Sequence, residues 1–233
     1  MTPGLYIVGT PIGNLGDITL RALETLKQAR WIMAEDTRET HKLLAHFQIA
    51  TPMQSCHKFN EAARVNWIAE QIRGGAAVAL VTDGGMPAVS DPGARTVNSV
   101  RAAGLPVFIV PGPSAVTSAV ALSGFGGAGF VFEGFLPRKS GARRKRLARW
   151  AACEWPVVLF ESPYRLLKLL DEIRETLGER ELFVGRELTK KFEEGLRGTP
   201  TQIAAAFAGR TVKGELTVVI APAPEAERKN IPV

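Results

Sequence analysis

The chain is expected to be α/β, built as two domains of similar size, each a mixed sheet flanked by helices. Three features predict this. Short apolar runs rich in β-branched residues alternate with helical stretches along the whole chain. In the first half, these runs end in Gly/Pro loops or acidic side chains. Near the middle, "SGFGGAG" (residues 123–129) holds four glycines in six residues, too many for a regular element. The boundary is therefore expected there, giving domains 1–124 and 125–233.

Strands are expected in order at Leu5–Val8, Trp31–Ala34, Val78–Val81 and Val107–Val110. In the second half they are expected at Phe130–Phe132, Val157–Phe160, Leu182–Val184 and Leu216–Ile220. Helices are signalled at Thr19–Lys27 behind Asp17, and at Thr37–Ala45, Asn60–Arg73, Gly93–Ala103, Ser114–Leu122, Gly141–Ala151 and Pro163–Leu177. The glycine run also matches G-x-G-x-x-G at Gly124, Gly126 and Gly129. A dinucleotide fingerprint needs a strand before it and a helix after it, and here the order is reversed, so it reads as a linker.

A composition of 45% hydrophobic and 22% charged residues excludes a disordered or collagen-like chain. No apolar run reaches the roughly 18 residues of a membrane span, and the start lacks a basic signal region, so a cytoplasmic protein is expected. Cys56 and Cys153 stand far apart and read as reduced, packed thiols. His41, His46 and His57 lack metal-ligand spacing, as do the cysteines, and no metal site is expected. The net charge of +6 is concentrated in residues 138–149. There Arg138, Lys139, Arg143, Arg144, Lys145, Arg146 and Arg149 stand with no acidic residue between them. Such a run would repel itself, and RNA phosphate is the natural counterpart.

Four strand ends could carry chemistry. "VGTPIGNLGD" (8–17), "VTDGGMPAVSDPG" (81–93) and "VPGPSAVTSAV" (110–120) run from strand to helix. The first and third turns contain no Lys or Arg before their helices, and the second has no G-K-[ST]. Backbone groups would do the binding, which suits a nucleoside with an amino-acid tail better than a di- or triphosphate. The fourth, "AEDTRETHKLL" (34–44), places Glu35, Asp36 and Arg38 at a strand end, where the carboxylates could be acid–base groups and Asp36 could equally cap the helix. The mixed charges of "GRELTKKFEE" (185–194) suit a salt-bridged helix start.

These motifs, with "FEGFLPRK", "FESPYRLL" and "KGEL", follow in the same order as in the methyltransferases that act on a cytidine 2′-hydroxyl of small-subunit (16S) ribosomal RNA, members of the tetrapyrrole methylase superfamily. The resemblance covers residues 4 to about 221. It implies a two-domain tetrapyrrole-methylase-like fold, a homodimer, and S-adenosyl-L-methionine in the interdomain cleft. By resemblance the cofactor contacts fall on Pro11, Ile12, Met86, Val89, Ser114 and Ala115, and in the second domain on Ser162, Pro163, Tyr164 and Ala221. This chain has Thr82, Gly84 and Met86 where the family usually shows serine, alanine and threonine, and "SCHKFNE" where "HDHNE" is usual. His57, Asn60 and Glu61 remain matched, whereas Cys56 and Lys58 do not.

Methyl transfer to a weakly nucleophilic hydroxyl needs alignment and proton removal. Glu35 or Asp36 could accept the proton and His57 could relay it, while Arg38 or Lys190 could lower the hydroxyl's pKa or hold the adjacent phosphate. The match also brings Arg186 and Glu187 into consideration as cleft residues. Two other readings compete. A tetrapyrrole C-methyltransferase of the same fold would need only a few cations lining a cleft, and a non-catalytic ribosome-assembly factor would not need the loops.

Overall fold

The computed structural model describes residues 1–225, in two compact units, Met1–Ser114 and Ala115 onward. The first unit runs β1 (Gly4–Val8), α1 (Leu20–Gln28), β2 (Trp31–Ala34), α2 (Thr37–His46), β3 (Met53–Ser55), α3 (Glu61–Arg73), β4 (Ala77–Val81), α4 (Ala94–Ala102) and β5 (Val107–Val110). The second runs α5 (Ala115–Ser123), β6 (Val131–Phe135), α6 (Ser140–Ala148), β7 (Val157–Glu161), α7 (Leu166–Leu177), β8 (Leu182–Arg186), β9 (Glu194–Gly198), α8 (Pro200–Phe207) and β10 (Leu216–Ile220).

The first sheet has the order β3-β2-β4-β1-β5 and is parallel throughout. Helical crossovers cover both of its faces, so its strands are apolar on both sides. Val8, Ile32, Ala34, Ala79 and Val81 pack on one face with Ala22 and Leu26 of α1 and Leu44 of α2. Leu5, Ile7, Met33, Val78 and Leu80 pack on the other with Ile68 and Ile72 of α3 and Val100 of α4. Each buried aliphatic side chain contributes roughly 1.5–3 kcal/mol relative to exposure. The Thr19 hydroxyl starts α1 by accepting from Ala22 N at 3.0 Å.

The second sheet has the order β6-β7-β10-β8-β9 and is mixed: only β6 and β7 are parallel. Val157, Leu159, Leu182, Val184 and Val218 meet α7 and α8 on one face. The opposite face holds Val116 and Ala119 of α5, which packs on β7, β8 and β10. That packing places the division after Ser114, ten residues before the glycine run where local composition put it. All eight strands and seven helices expected from the sequence are present, some ends shifted by a few residues.

Three further elements are present that the sequence reading did not include. β3 is a polar edge strand of three residues, and β9 reads "EGLRG". α8 begins on a capping box of Thr199 and Gln202 with Pro200 at its first position, a signal that was present in the sequence. The helix start suggested for 185–194 does not form: β8 ends at Arg186 and the chain turns into antiparallel β9, with positive φ at Glu187 (51°) and Thr189 (67°). Among the described residues, no helix is long and apolar enough to cross a membrane.

Candidate active site

In the first unit the four sequence-predicted loops all leave the carboxyl ends of parallel strands, those of β1, β2, β4 and β5. The chain leaves β1 toward β2 on one side and enters β5 on the other, so this edge is a topological switch point, where open α/β sheets bind ligands. The loops touch. Thr10 and Gly85 exchange two backbone hydrogen bonds of 3.0 Å, and the Thr10 hydroxyl donates to Thr82 O at 3.1 Å. A Cβ on Gly9 would meet Met86 Sδ at 2.6 Å and Gly112 Cα at 2.7 Å, so only glycine lets these three loops pack backbone to backbone. Pro11, Ile12, Met86 and Ser114 thereby come to one edge, with Ala115 following directly at the start of α5 and Val89 on an exposed stretch of the β4–α4 loop.

That loop is held from a direction the sequence did not indicate. Gly93 begins α4 without a side-chain cap of its own. The buried Glu61 carboxylate supplies one from the start of α3, accepting from Gly93 N at 3.1 Å, Thr96 N at 2.8 Å and the Thr96 hydroxyl at 2.9 Å. Cys56, buried beside it, has its thiol pushed up to about 11 by burial, which keeps it protonated and weakly nucleophilic near neutral pH.

The acidic residues divide by their partners. Asp36 caps α2, its Oδ1 accepting from Arg38 N at 2.8 Å and Nε at 3.0 Å and its Oδ2 from Arg38 Nη2 at 2.6 Å. The hydrogen bonds from Arg38 hold it far below the usual carboxylate range, which makes it a poor proton acceptor. Glu35 instead accepts the Thr82 hydroxyl at 2.6 Å through one oxygen. Asp83, which sequence reasoning missed, receives Asp36 N–H on Oδ1 at 3.0 Å. Burial raises its pKa above 3.8, and the charges of Glu35, Asp36 and Glu39 add to the shift against that hydrogen bond. His57 follows β3, on the same side of the sheet, and bonds within its own turn, donating N–H to Asn60 Oδ1 at 2.8 Å and accepting Phe59 N–H on Nδ1 at 3.3 Å.

In the second unit, Leu216 pairs with both Glu161 and Arg186, so the "FESPYR", "RELTKK" and "KGEL" motifs gather at one end of the sheet. Glu161 accepts from Ser162 N at 2.7 Å and from Arg165 Nε at 2.6 Å. Lys190 donates to Glu187 at 3.0 Å and Glu215 at 2.7 Å. Burial opposes its charge, but those two bonds prevail and its pKa stands above 10.5. Ser162, Pro163 and Tyr164 belong to this end. Ala221 does not, because it follows antiparallel β10 beyond Ile220, which pairs with Val157 at the far end of β7. Six strand steps, about 20 Å, separate it from the serine, so the structure does not bring the two together.

The basic segment also needs correcting. Arg143 is buried and forks onto buried Glu172, with Nη2 to Oε1 at 2.9 Å. Arg144 pairs with Glu175 at 2.9 Å and Arg146 with Glu133 at 2.6 Å. Carboxylates remote in sequence thus answer three of the seven cations. Arg138, Lys139, Lys145 and Arg149 are exposed and form no ion pair among the described residues. No group of three metal-ligating side chains occurs among the described residues.

The comparisons place the fold. Residues 4–204 match the model of the tetrapyrrole (corrin/porphyrin) methylases, and the chain belongs to that family. Uroporphyrin-III C-methyltransferase from Thermus thermophilus, solved in complex with S-adenosylhomocysteine, shares the fold at TM-score 0.65 and 18% identity, over 93% of this chain and 96% of that one. Within the family, this is a methyltransferase of the ribosomal RNA small subunit methyltransferase I group. The enzyme of that name from Thermotoga maritima is 48% identical over 93% of this chain and 97% of its own length. Its counterpart from Synechocystis is 45% identical over 97% and 81%. The chain is thus a methyltransferase that uses S-adenosylmethionine. The loops suit that cofactor: the close-packed glycines leave backbone groups rather than side chains at the sheet edge, and carboxylates stand beside them, as a cationic sulfonium favours.

Proposed function

We propose that the protein methylates the ribose 2′-hydroxyl of a cytidine in 16S ribosomal RNA, within the small subunit or its precursor, and works as a cytoplasmic homodimer. The observation that carries this reading is the convergence of three Gly/Pro loops beside Glu35 and Asp83, in a chain 42–48% identical to relatives named for ribosomal RNA methylation. When bound, S-adenosylmethionine supplies an electrophilic methyl group that the ribose oxygen attacks in line. Pro11, Ile12, Met86, Val89 and Ser114 of the first unit would hold it, together with Ala115, the next residue in the chain.

Glu35 is the proton acceptor: its Oε2 is oriented by the Thr82 hydroxyl, and its other oxygen takes the 2′-hydroxyl proton. Arg38, 85% exposed and using only Nε and Nη2 on Asp36, keeps donors for the neighbouring phosphate. The four unpaired cations of residues 138–149 hold RNA phosphates further away. Pairing of two copies is supported by α5, which exposes Leu122, with exposed Phe130 close after it.

The test offers labelled S-adenosylmethionine with free 16S RNA, small subunits, or a uroporphyrinogen-type acid, and maps the product. Label on one cytidine ribose is expected. Label on a nucleobase or on the tetrapyrrole, or none on any acceptor, overturns the reading. Met86→Trp and Ala115→Trp should each abolish cofactor binding measured by calorimetry with the circular dichroism unchanged.

A further inference from the structure

A recess of about 230 Å³ opens in the first unit beside the cofactor loops, lined among others by Thr10, Pro11, Leu15, Thr40, Leu43 and Asp83. Its walls combine apolar groups with two unspent polar ones. Thr40, on α2, is 4% exposed, and its Oγ1 is buried with no hydrogen-bond partner among the described residues. Such an orphaned hydroxyl is rare in native proteins and calls for an explanation. Asp83 uses Oδ1 for Asp36 N–H, and its Oδ2 carries no hydrogen bond among the described residues. The recess thus has a buried, unpaired donor in its wall and an open acceptor at its exposed rim, with Pro11, Leu15 and Leu43 among its apolar lining. The volume lies below the ~300 Å³ at which pockets for drug-sized ligands begin, and has room for a nucleobase but not for a tetrapyrrole.

We propose that this recess takes the cytosine base of the target nucleotide, with Thr40 Oγ1 donating to the ring's acceptor edge and Asp83 accepting from the exocyclic amine. The proposal rests on the reading that a cytidine is the substrate, and supplies the reason for that choice. A carboxylate accepts from the cytosine N4 amine but faces an acceptor, O4, in uracil. Glu35 is left free for the ribose hydroxyl, so base reading and proton removal fall to different carboxylates.

The experiment titrates the full chain with cytidine and uridine 5′-monophosphates, followed by saturation-transfer NMR and calorimetry. Cytidine monophosphate is expected to bind at least tenfold more tightly. Thr40→Val, which keeps the shape, should lose tenfold or more of that affinity while S-adenosylmethionine binding stays within twofold, and Thr40→Ser should retain it. Asp83→Asn, whose amide offers a donor as well as an acceptor, should narrow the preference between the two nucleotides. Equal or undetectable binding of both nucleotides, or a Thr40→Val protein that binds like the wild type, overturns the proposal. The two readings fail separately. Pyrimidine preference without methyl transfer to small subunits would defeat the ribosomal function and leave the recess, and transfer without preference would do the reverse.

Discussion

Replacing Arg143 with methionine separates a structural cation from an RNA-binding one. The guanidinium is 1% exposed and the Glu172 carboxylate 2%, and the pair is joined by Nη2–Oε1 at 2.9 Å and a second bond through Nε. Ser140 Oγ also donates to Glu172 at 2.6 Å. Arg143→Met leaves that carboxylate buried with the serine alone, and breaking a buried pair from one side costs about 3–5 kcal/mol. For a chain of this size each kcal/mol moves the melting temperature by roughly 2–4 °C, so a drop of roughly 6–20 °C is expected in thermal and urea unfolding. The double variant Arg143→Met/Glu172→Leu should recover most of the loss, since matched apolar replacements of buried pairs are often neutral.

The loss should also depend on pH. Burial pushes the Glu172 carboxyl up, but the hydrogen bonds from Arg143 and Ser140 prevail and hold it below 4.5. A depressed folded-state pKa stabilises above the unfolded value, and that stability is lost as the pH falls through the folded one. The difference between wild type and Arg143→Met should therefore be full near neutrality and shrink in acid. A melting temperature within 2 °C of the wild type at pH 7, or a double variant no better than the single one, would refute this account of the pair.

Glu35→Gln should lower turnover by roughly two to four orders of magnitude with cofactor affinity intact, the scale of a lost general base. Asp36→Asn should act mainly on the start of α2, and a larger turnover loss for it than for Glu35→Gln would reverse the assignment. Changing Arg138, Lys139, Lys145 and Arg149 together to Gln should weaken RNA binding and flatten its salt dependence by roughly 0.7 log units per lost contact on single-stranded RNA. Unchanged affinity at both low and high salt would make these cations a solvated face. Gly112→Ala puts a Cβ 2.8 Å from Gly9 Cα, where backbone must shift, and calorimetry should show at least tenfold weaker cofactor binding.

The order of strands, loops and helices was legible because it rests on local signals: period, capping residues and turn residues lie within a few positions of what they specify. The three Gly/Pro loops were visible in the same way. Asp83 lay within a quoted motif, yet nothing nearby in sequence shows that burial and three other carboxylates act on it. Glu61 was matched, but its duty of capping α4 spans 32 residues to Gly93. The turn after β8 misled because mixed charges favour a helix start locally, whereas Glu187 and Lys190 find their partner in Glu215, beyond Gly214, whose missing Cβ makes room for the Glu187 side chain.

The charge of residues 138–149 draws the line most clearly. By itself the sequence determined that seven cations and no carboxylate stand together, together with the α/β class and the loops at the strand ends. Which of those cations remain open to a partner was settled only by the tertiary structure. It carries Glu172 across 29 residues to Arg143 and Glu133 across 13 to Arg146, and it withdraws the first of these pairs from water. Spacing along a chain fixes which groups share a helix face, but the partner of a charge is whatever the packing of other elements brings within hydrogen-bond reach.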